Sequence, residues 1–204
     1  MPEANAGIQN MGGMDPFAFQ SNDQNRETIT RKVSHVGLFS ASAVVLGMVN
    51  FPFPLAPFLQ FDLGFIPVLI GTFKFGPTFG VITLTLFSAL FELLFGRGVL
   101  IGPLMHIAAG ICFIIPASAI YNSSKNRSTA VKALIAGSIC QTLGMIPLNW
   151  VATMIPYPYG IKGVLPMGLT YYLLVIVPMF NCILSTLNAV ITFHLYKKLS
   201  LYLR

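Results

Sequence analysis

The sequence predicts an all-α integral membrane protein: six transmembrane helices, a short second span, and both termini on the cytoplasmic side. Three observations lead there. Of the 204 residues, 55% are hydrophobic and only 9% charged, and the mean hydropathy is +0.75, outside the balance of a soluble domain. Apolar runs close to the roughly 20 residues that cross a bilayer recur along the chain. The basic residues sit at the ends of those runs, biased to one side.

Residues 1–32 are polar and rich in Asn, Gln and Gly, and lack the basic-then-apolar order of a cleaved signal, so they read as a disordered cytosolic tail. Residues 33–196 form the membrane domain, and 197–204 a basic cytosolic tail. Within the domain, 33–50, 77–95, 101–121 and 168–193 are plain spans, and 131–155 is as long but more polar. The short run Phe65 to Phe73 decides between five and six crossings. With six spans and an inner N-terminus, the inner segments hold Arg26, Arg31, Lys32, Lys74, Lys125, Arg127, Lys132, Lys197, Lys198 and Arg204, and the outer loops only Arg97 and Lys162. Ten against two follows the positive-inside rule, whereas five spans would separate the two basic ends of the chain. The second span is then tilted or shielded from lipid by its neighbours.

This topology puts three loops outside: 51–64, 95–103 and 155–166. The first and last are rich in proline and aromatic residues and nearly free of charge. Polar residues in the spans cost free energy unless they meet a partner or a cavity. Glu92, His106 and Asn149 lie about a turn inside the outer ends of their spans, and Asn181 and Asn188, seven apart, share one face of the last. Each reads either as a helix-to-helix hydrogen-bonding device or as a ligand contact, and Glu92 also as a partner of Arg97 or His106. Their common depth, under loops carrying Phe51, Phe53, Phe58, Trp150, Tyr157 and Tyr159, points to a pocket, although such aromatics also form interfacial belts. On the first span, Gly37 with Ala41 and Ala43 with Gly47 are spaced four apart, which suits either a docking surface or internal packing. Asp62 is expected to stay hydrated at the outer mouth or to cap the short second span, ahead of contacting a ligand.

Some classes are excluded. The basic residues are scattered, so the net charge of +6 reflects topology rather than nucleic-acid binding. Cys112, Cys140 and Cys182 lie in apolar runs and suggest neither redox nor metal chemistry. There is no phosphate-binding G-x-x-x-x-G-K-[ST] loop and no H-E-x-x-H motif. A small solute-binding membrane protein without its own motor remains.

The block "FPFPLAPFLQFDLGFIPVLIGTFKFGPTFGV", together with "AAGICFIIPASAIY" and "FNCILSTLNAVITFHLYKKLS", closely resembles the substrate-binding S components of energy-coupling factor (ECF) vitamin transporters, above all the riboflavin branch. The resemblance runs from about residue 33 to 200. It implies a six-helix protein of the cell membrane that captures a vitamin outside and works with a transmembrane coupling subunit and two cytosolic ATPases. It implies no catalytic residue and no cofactor, with riboflavin as transported ligand. By motif position, Asn149, Asn181 and Asn188 match ligand-side asparagines, and Gly37 and Ala41 the family's docking face, extended here to Ala43 and Gly47. His106, Leu184, Trp150, Tyr157 and Phe58 complete the expected substrate site. The chain departs from the riboflavin pattern at Leu184 and Phe87, where lysines are expected, and in "GPLMHI", where Pro103 and His106 replace glutamate and asparagine. A site with fewer charges suits a flat neutral heterocycle. It equally suits another vitamin or precursor of pyridoxine, hydroxymethylpyrimidine, folate or pantothenate type. A membrane-embedded enzyme using Glu92 and His106 as acid and base, and an assembly protein, are the alternatives from other classes.

Overall fold

A computed structural model describes residues 16–95, 101–156 and 168–199. The order is α1 (Pro16–Gly47), β1 (Asn50–Phe53), β2 (Ala56–Asp62), α2 (Phe65–Phe75), α3 (Pro77–Phe95), α4 (Ile101–Ser123), α5 (Arg127–Met154), α6 (Leu169–Tyr171), a π-helical segment Tyr172–Ile176, and α7 (Val177–Leu199). The chain divides into two compact units, residues 1–37 and 38–204. In the first, the described part is helical from Pro16, inside the stretch expected to be a polar tail. All the features below belong to the second unit unless Gly37 is named.

Among the described residues, four helical stretches are long and apolar enough to cross a membrane: Pro77–Phe95, Ile101–Ser123, Arg127–Met154 and Leu169–Tyr196. They match four of the runs read from sequence to within a few residues. The short run forms α2, whose 11 residues span about 16 Å, roughly half the hydrocarbon thickness. Every residue from Phe65 to Phe73 is buried, so its neighbours cover it on all sides. Gly76 and Gly80 make the tight α2–α3 corner. Gly76 takes φ 98°, a conformation that side chains resist, and its N–H donates to the Thr72 carbonyl at 2.9 Å. Pro77 then starts α3, where its missing N–H costs nothing. At Gly80 a β-carbon would collide with the Thr72 hydroxyl, so glycine is what lets the two helices close.

At the opposite end from that corner, the proline-rich segment expected to be a loop is a two-stranded antiparallel hairpin. Asn50 pairs with Asp62, Phe51 with Phe61 and Pro52 with Gln60, with an irregularity between Pro52 and Phe53. Prolines are tolerated because each strand of a two-stranded ribbon has a free edge that needs no N–H donor. The hairpin is pinned by rings: Phe61 lies 5.0 Å and Phe53 5.6 Å from Phe180 on α7, and Phe58 lies 5.9 Å from Tyr172. At its end, Asp62 Oδ1 accepts from the Gly64 N–H at 3.0 Å, a turn bond that orders the entry to α2 but reaches the residue before the helix and not the first helix amides expected from the sequence.

Two apolar clusters hold the bundle. One, around Phe65, Leu69, Phe87 and Phe113, joins α2, α3 and α4 to α1 and α5. The other, around Phe53, Met145, Tyr172, Ile176 and Phe180, ties the hairpin to α5 and α7. Between them lies the site.

Candidate functional site

Beneath the hairpin is a cavity of about 420 Å³, bounded by β2, α3, α4, α5, the π-helical segment and α7. Small-molecule sites run from about 300 to 1,000 Å³. Most of its wall is apolar or aromatic, including Phe58, Phe87, Phe91, Tyr172 and Phe180. Set into that wall are the carboxamides of Gln60, Asn149 and Asn181, the carboxyl groups of Asp62 and Glu92, Ser88 and His106.

The polar side chains are tied to the scaffold. Asn149 Nδ2 donates to the Met145 carbonyl at 2.9 Å, while its Oδ1 accepts from the Tyr172 hydroxyl at 2.8 Å. Asn181 repeats the arrangement: its Nδ2 donates to the Val177 carbonyl at 2.9 Å and its Oδ1 accepts from Gln141 Nε2 at 3.3 Å. Each asparagine keeps one amide hydrogen and one lone pair beyond these bonds. Both groups are therefore fixed in orientation before any ligand arrives, which lowers the ordering cost of binding. His106 lies with Nδ1 3.0 Å from Ser88 Oγ and Nε2 3.8 Å from Asp62 Oδ2, and its ring meets Phe87 edge-on at 5.2 Å. It thus joins α3, α4 and the end of the hairpin. Among the described residues His106 pairs with Asp62 rather than Glu92, and Arg97 lies outside them.

Of the residues expected at the site, Asn149, Asn181, His106, Leu184 and Phe58 line this cavity. Asn188 lies deeper, beside a second small hollow that Leu184 and His106 also border. Trp150 does not reach the cavity and is 49% exposed. Its neighbour Asn149 points inward, and one residue is 100° around the helix, so the indole faces outward. Tyr157 lies outside the described residues. Phe87 and Pro103, two of the departures from the riboflavin pattern, both line the cavity. Asp62 also lines it, so its turn bond to Gly64 and a place in the wall coexist.

The small residues of α1 fall on two faces. Gly37 and Ala41 are exposed, and a β-carbon at Gly37 would meet nothing within 4 Å. Ala43 is fully buried, and a β-carbon on Gly47 would come within 2.9 Å of the Phe87 ring. Ala43 and Gly47 are therefore packing positions. Of the four, Gly37 and Ala41 are the exposed ones, and Ala43 sits about 200° around the helix from Ala41.

Sequence reading missed Tyr172, Gln141, Met145 and Phe180. Gln141 and Met145 had a signal: with Asn149 they form an i, i+4, i+8 stripe on one face of α5. Tyr172 had none, because its inward aim comes from the π-helical turn, which shifts the register of the face.

The family described as ECF transporter, substrate-specific component, matches residues 31–196. The chain belongs to that family. The riboflavin transporter RibU of Staphylococcus aureus (strain TCH60) is 30% identical over 191 residues, covering 89% of this chain and 94% of that protein. The riboflavin transporter FmnP of Bacillus subtilis (strain 168) is 28% identical over 132 residues, 63% of this chain and 70% of that one. A solved structure of the S component of a bacterial ECF transporter superposes with a TM-score of 0.70 at 28% identity, covering 86% of this chain and 98% of the other. ThiT from Listeria monocytogenes shares the fold, with a TM-score of 0.54 at 13% identity. This S component is accordingly a membrane protein of vitamin uptake that works with an ECF module, not an enzyme. The acid and base roles considered for Glu92 and His106 fall away.

Proposed function

We propose that the chain captures riboflavin in the cavity beneath the hairpin, and that this end of the bundle faces the outside of the cell. The observation that carries the reading is the pairing of flat aromatic wall with two oriented carboxamides, Asn149 and Asn181. Rings stack on an extended heterocycle, and carboxamides read its carbonyl and N–H edge. The names of the two relatives support the same ligand. In this reading α1 and α2 complete six crossings with both termini inside, as the distribution of basic residues supports. A transmembrane coupling subunit docks on Gly37 and Ala41, and two cytosolic ATPases drive release; riboflavin is cargo, and no cofactor is needed. A second reading, another vitamin, draws on Leu184, Phe87, Pro103 and His106, which remove charges expected for the riboflavin branch.

A thermal-shift screen of the detergent-solubilised protein against a vitamin panel separates these. Riboflavin is expected to raise the melting temperature most, since a ligand that binds only the folded state stabilises it. Stabilisation by a different vitamin and none by riboflavin would replace the ligand but keep the class. Stabilisation by no vitamin would leave the assembly-protein reading. In cells, Ala41→Trp is expected to abolish uptake and leave binding by the purified protein unchanged, because Ala41 is exposed and away from the cavity.

A further inference from the structure

Below the main cavity is a second hollow of about 20 Å³, bordered by Asp62, His106, Gln141, Leu184 and Asn188. Three of these, Asp62, His106 and Leu184, border the larger cavity as well, so the two spaces adjoin. Gln141 and Asn188 are only 3% and 1% exposed. Each uses its amide nitrogen on the protein: Gln141 Nε2 donates to Asn181 Oδ1, and Asn188 Nδ2 donates to the Asp62 carbonyl at 3.4 Å. Neither amide can be turned over, since both face oxygen acceptors; Asn181 presents Oδ1 because its own nitrogen is held by Val177. Gln141 Oε1 and Asn188 Oδ1 are thereby left buried without a hydrogen-bond partner among the described residues. A buried acceptor without a donor is costly, and two beside one hollow define a place for a donor group. The volume admits a single group the size of a water molecule or a hydroxyl.

We propose that this chamber receives a hydroxyl of the ligand's polyol chain, which shares its one hydrogen between Gln141 Oε1 and Asn188 Oδ1 in a three-centre bond while the ring system stays in the larger cavity. The proposal rests on the flavin reading above and adds specificity to it. The stacking wall recognises the ring, and the chamber recognises the arm. Gln141 also supports Asn181, so the two recognition elements are mechanically joined.

The test compares riboflavin with lumiflavin, which carries the same ring system with a methyl in place of the polyol, by fluorescence quenching on the full-length purified protein. Wild type is expected to bind riboflavin at least about tenfold more tightly, the cost of leaving buried acceptors unpaired. Gln141→Leu and Asn188→Leu are each expected to lower riboflavin affinity more than lumiflavin affinity, bringing the ratio towards one. Equal affinity of wild type for the two flavins would overturn the proposal, and this comparison stands even if a variant fails to fold. An unchanged ratio in both variants would overturn it too, as a water or ion filling the chamber would produce. Absence of binding by either flavin would instead overturn the flavin reading on which it rests.

Discussion

Besides the small chamber, helices α5 and α7 border two larger hollows, and only one of these has the makings of a site. The cavity under the hairpin encloses about 420 Å³, whereas a groove on the other side of the pair, lined by Leu134, Ile135, Ile139, Leu143, Val190 and Phe193, is larger at about 580 Å³. The groove has polar residues too: Ser138, Thr142, Cys182 and Thr186 line it. Thr142, however, turns its hydroxyl back to the Ser138 carbonyl of its own helix at 2.8 Å, so it asks nothing of a visitor. The carboxamides of the cavity also bond the scaffold but retain capacity facing inward. Volume is therefore a poor guide within this bundle; spare hydrogen-bonding capacity on fixed side chains marks the site.

Substitutions along the two helices sharpen that contrast. The largest loss is expected for Asn181→Leu, which deletes a cavity carboxamide and strands the buried Gln141 amide. Each orphaned group costs about 1–3 kcal/mol, so riboflavin affinity should fall by about 100-fold, read by fluorescence titration. Tyr172→Phe keeps the ring beside Phe58 but frees Asn149 Oδ1 from its donor. A loss of about 1 kcal/mol, or roughly fivefold, is expected in the same titration. Trp150→Phe should change affinity by less than about twofold, because the indole faces away from the cavity. Thr142→Val in the groove should be smaller still, with neither affinity nor melting temperature moving measurably. A large effect of Thr142→Val on riboflavin binding would break the distinction between the two hollows.

Much of this was legible in the chain. The runs 77–95, 101–121, 131–155 and 168–193 became helices because length and apolarity dominate in lipid, where the backbone must bond to itself. Asn149, Asn181 and His106 could be singled out for the same reason, since polar groups at that depth need partners. The hairpin was not legible. Pro52, Pro54 and Pro57 argue against strands in general, and only the free edges of a two-stranded ribbon admit them. Periodicity left docking and packing open for Ala43 and Gly47: spacing of four identifies a shared face but not which neighbour covers it, and here Phe87 covers Gly47. Tyr172 escaped because a π-helical turn leaves no trace in composition.

Asp62 connects these lessons. In the sequence it is a lone carboxylate in a helix-hostile stretch. In the fold its side chain orders the start of α2 and approaches His106, while its carbonyl holds Asn188. The proline-rich segment thus carries the roof of the cavity and, at its last residue, part of the floor.

The most direct test of the cavity as the binding site is a riboflavin titration of wild type against Leu184→Trp. Leu184 is buried and borders both the cavity and the chamber beneath it, so an indole there fills the space a ligand needs. Saturable quenching of flavin fluorescence at one ligand per chain is predicted for wild type. It should be lost in the variant while the melting temperature without ligand stays close to the wild-type value. Quenching by Leu184→Trp with wild-type affinity would place the ligand elsewhere and contradict the account.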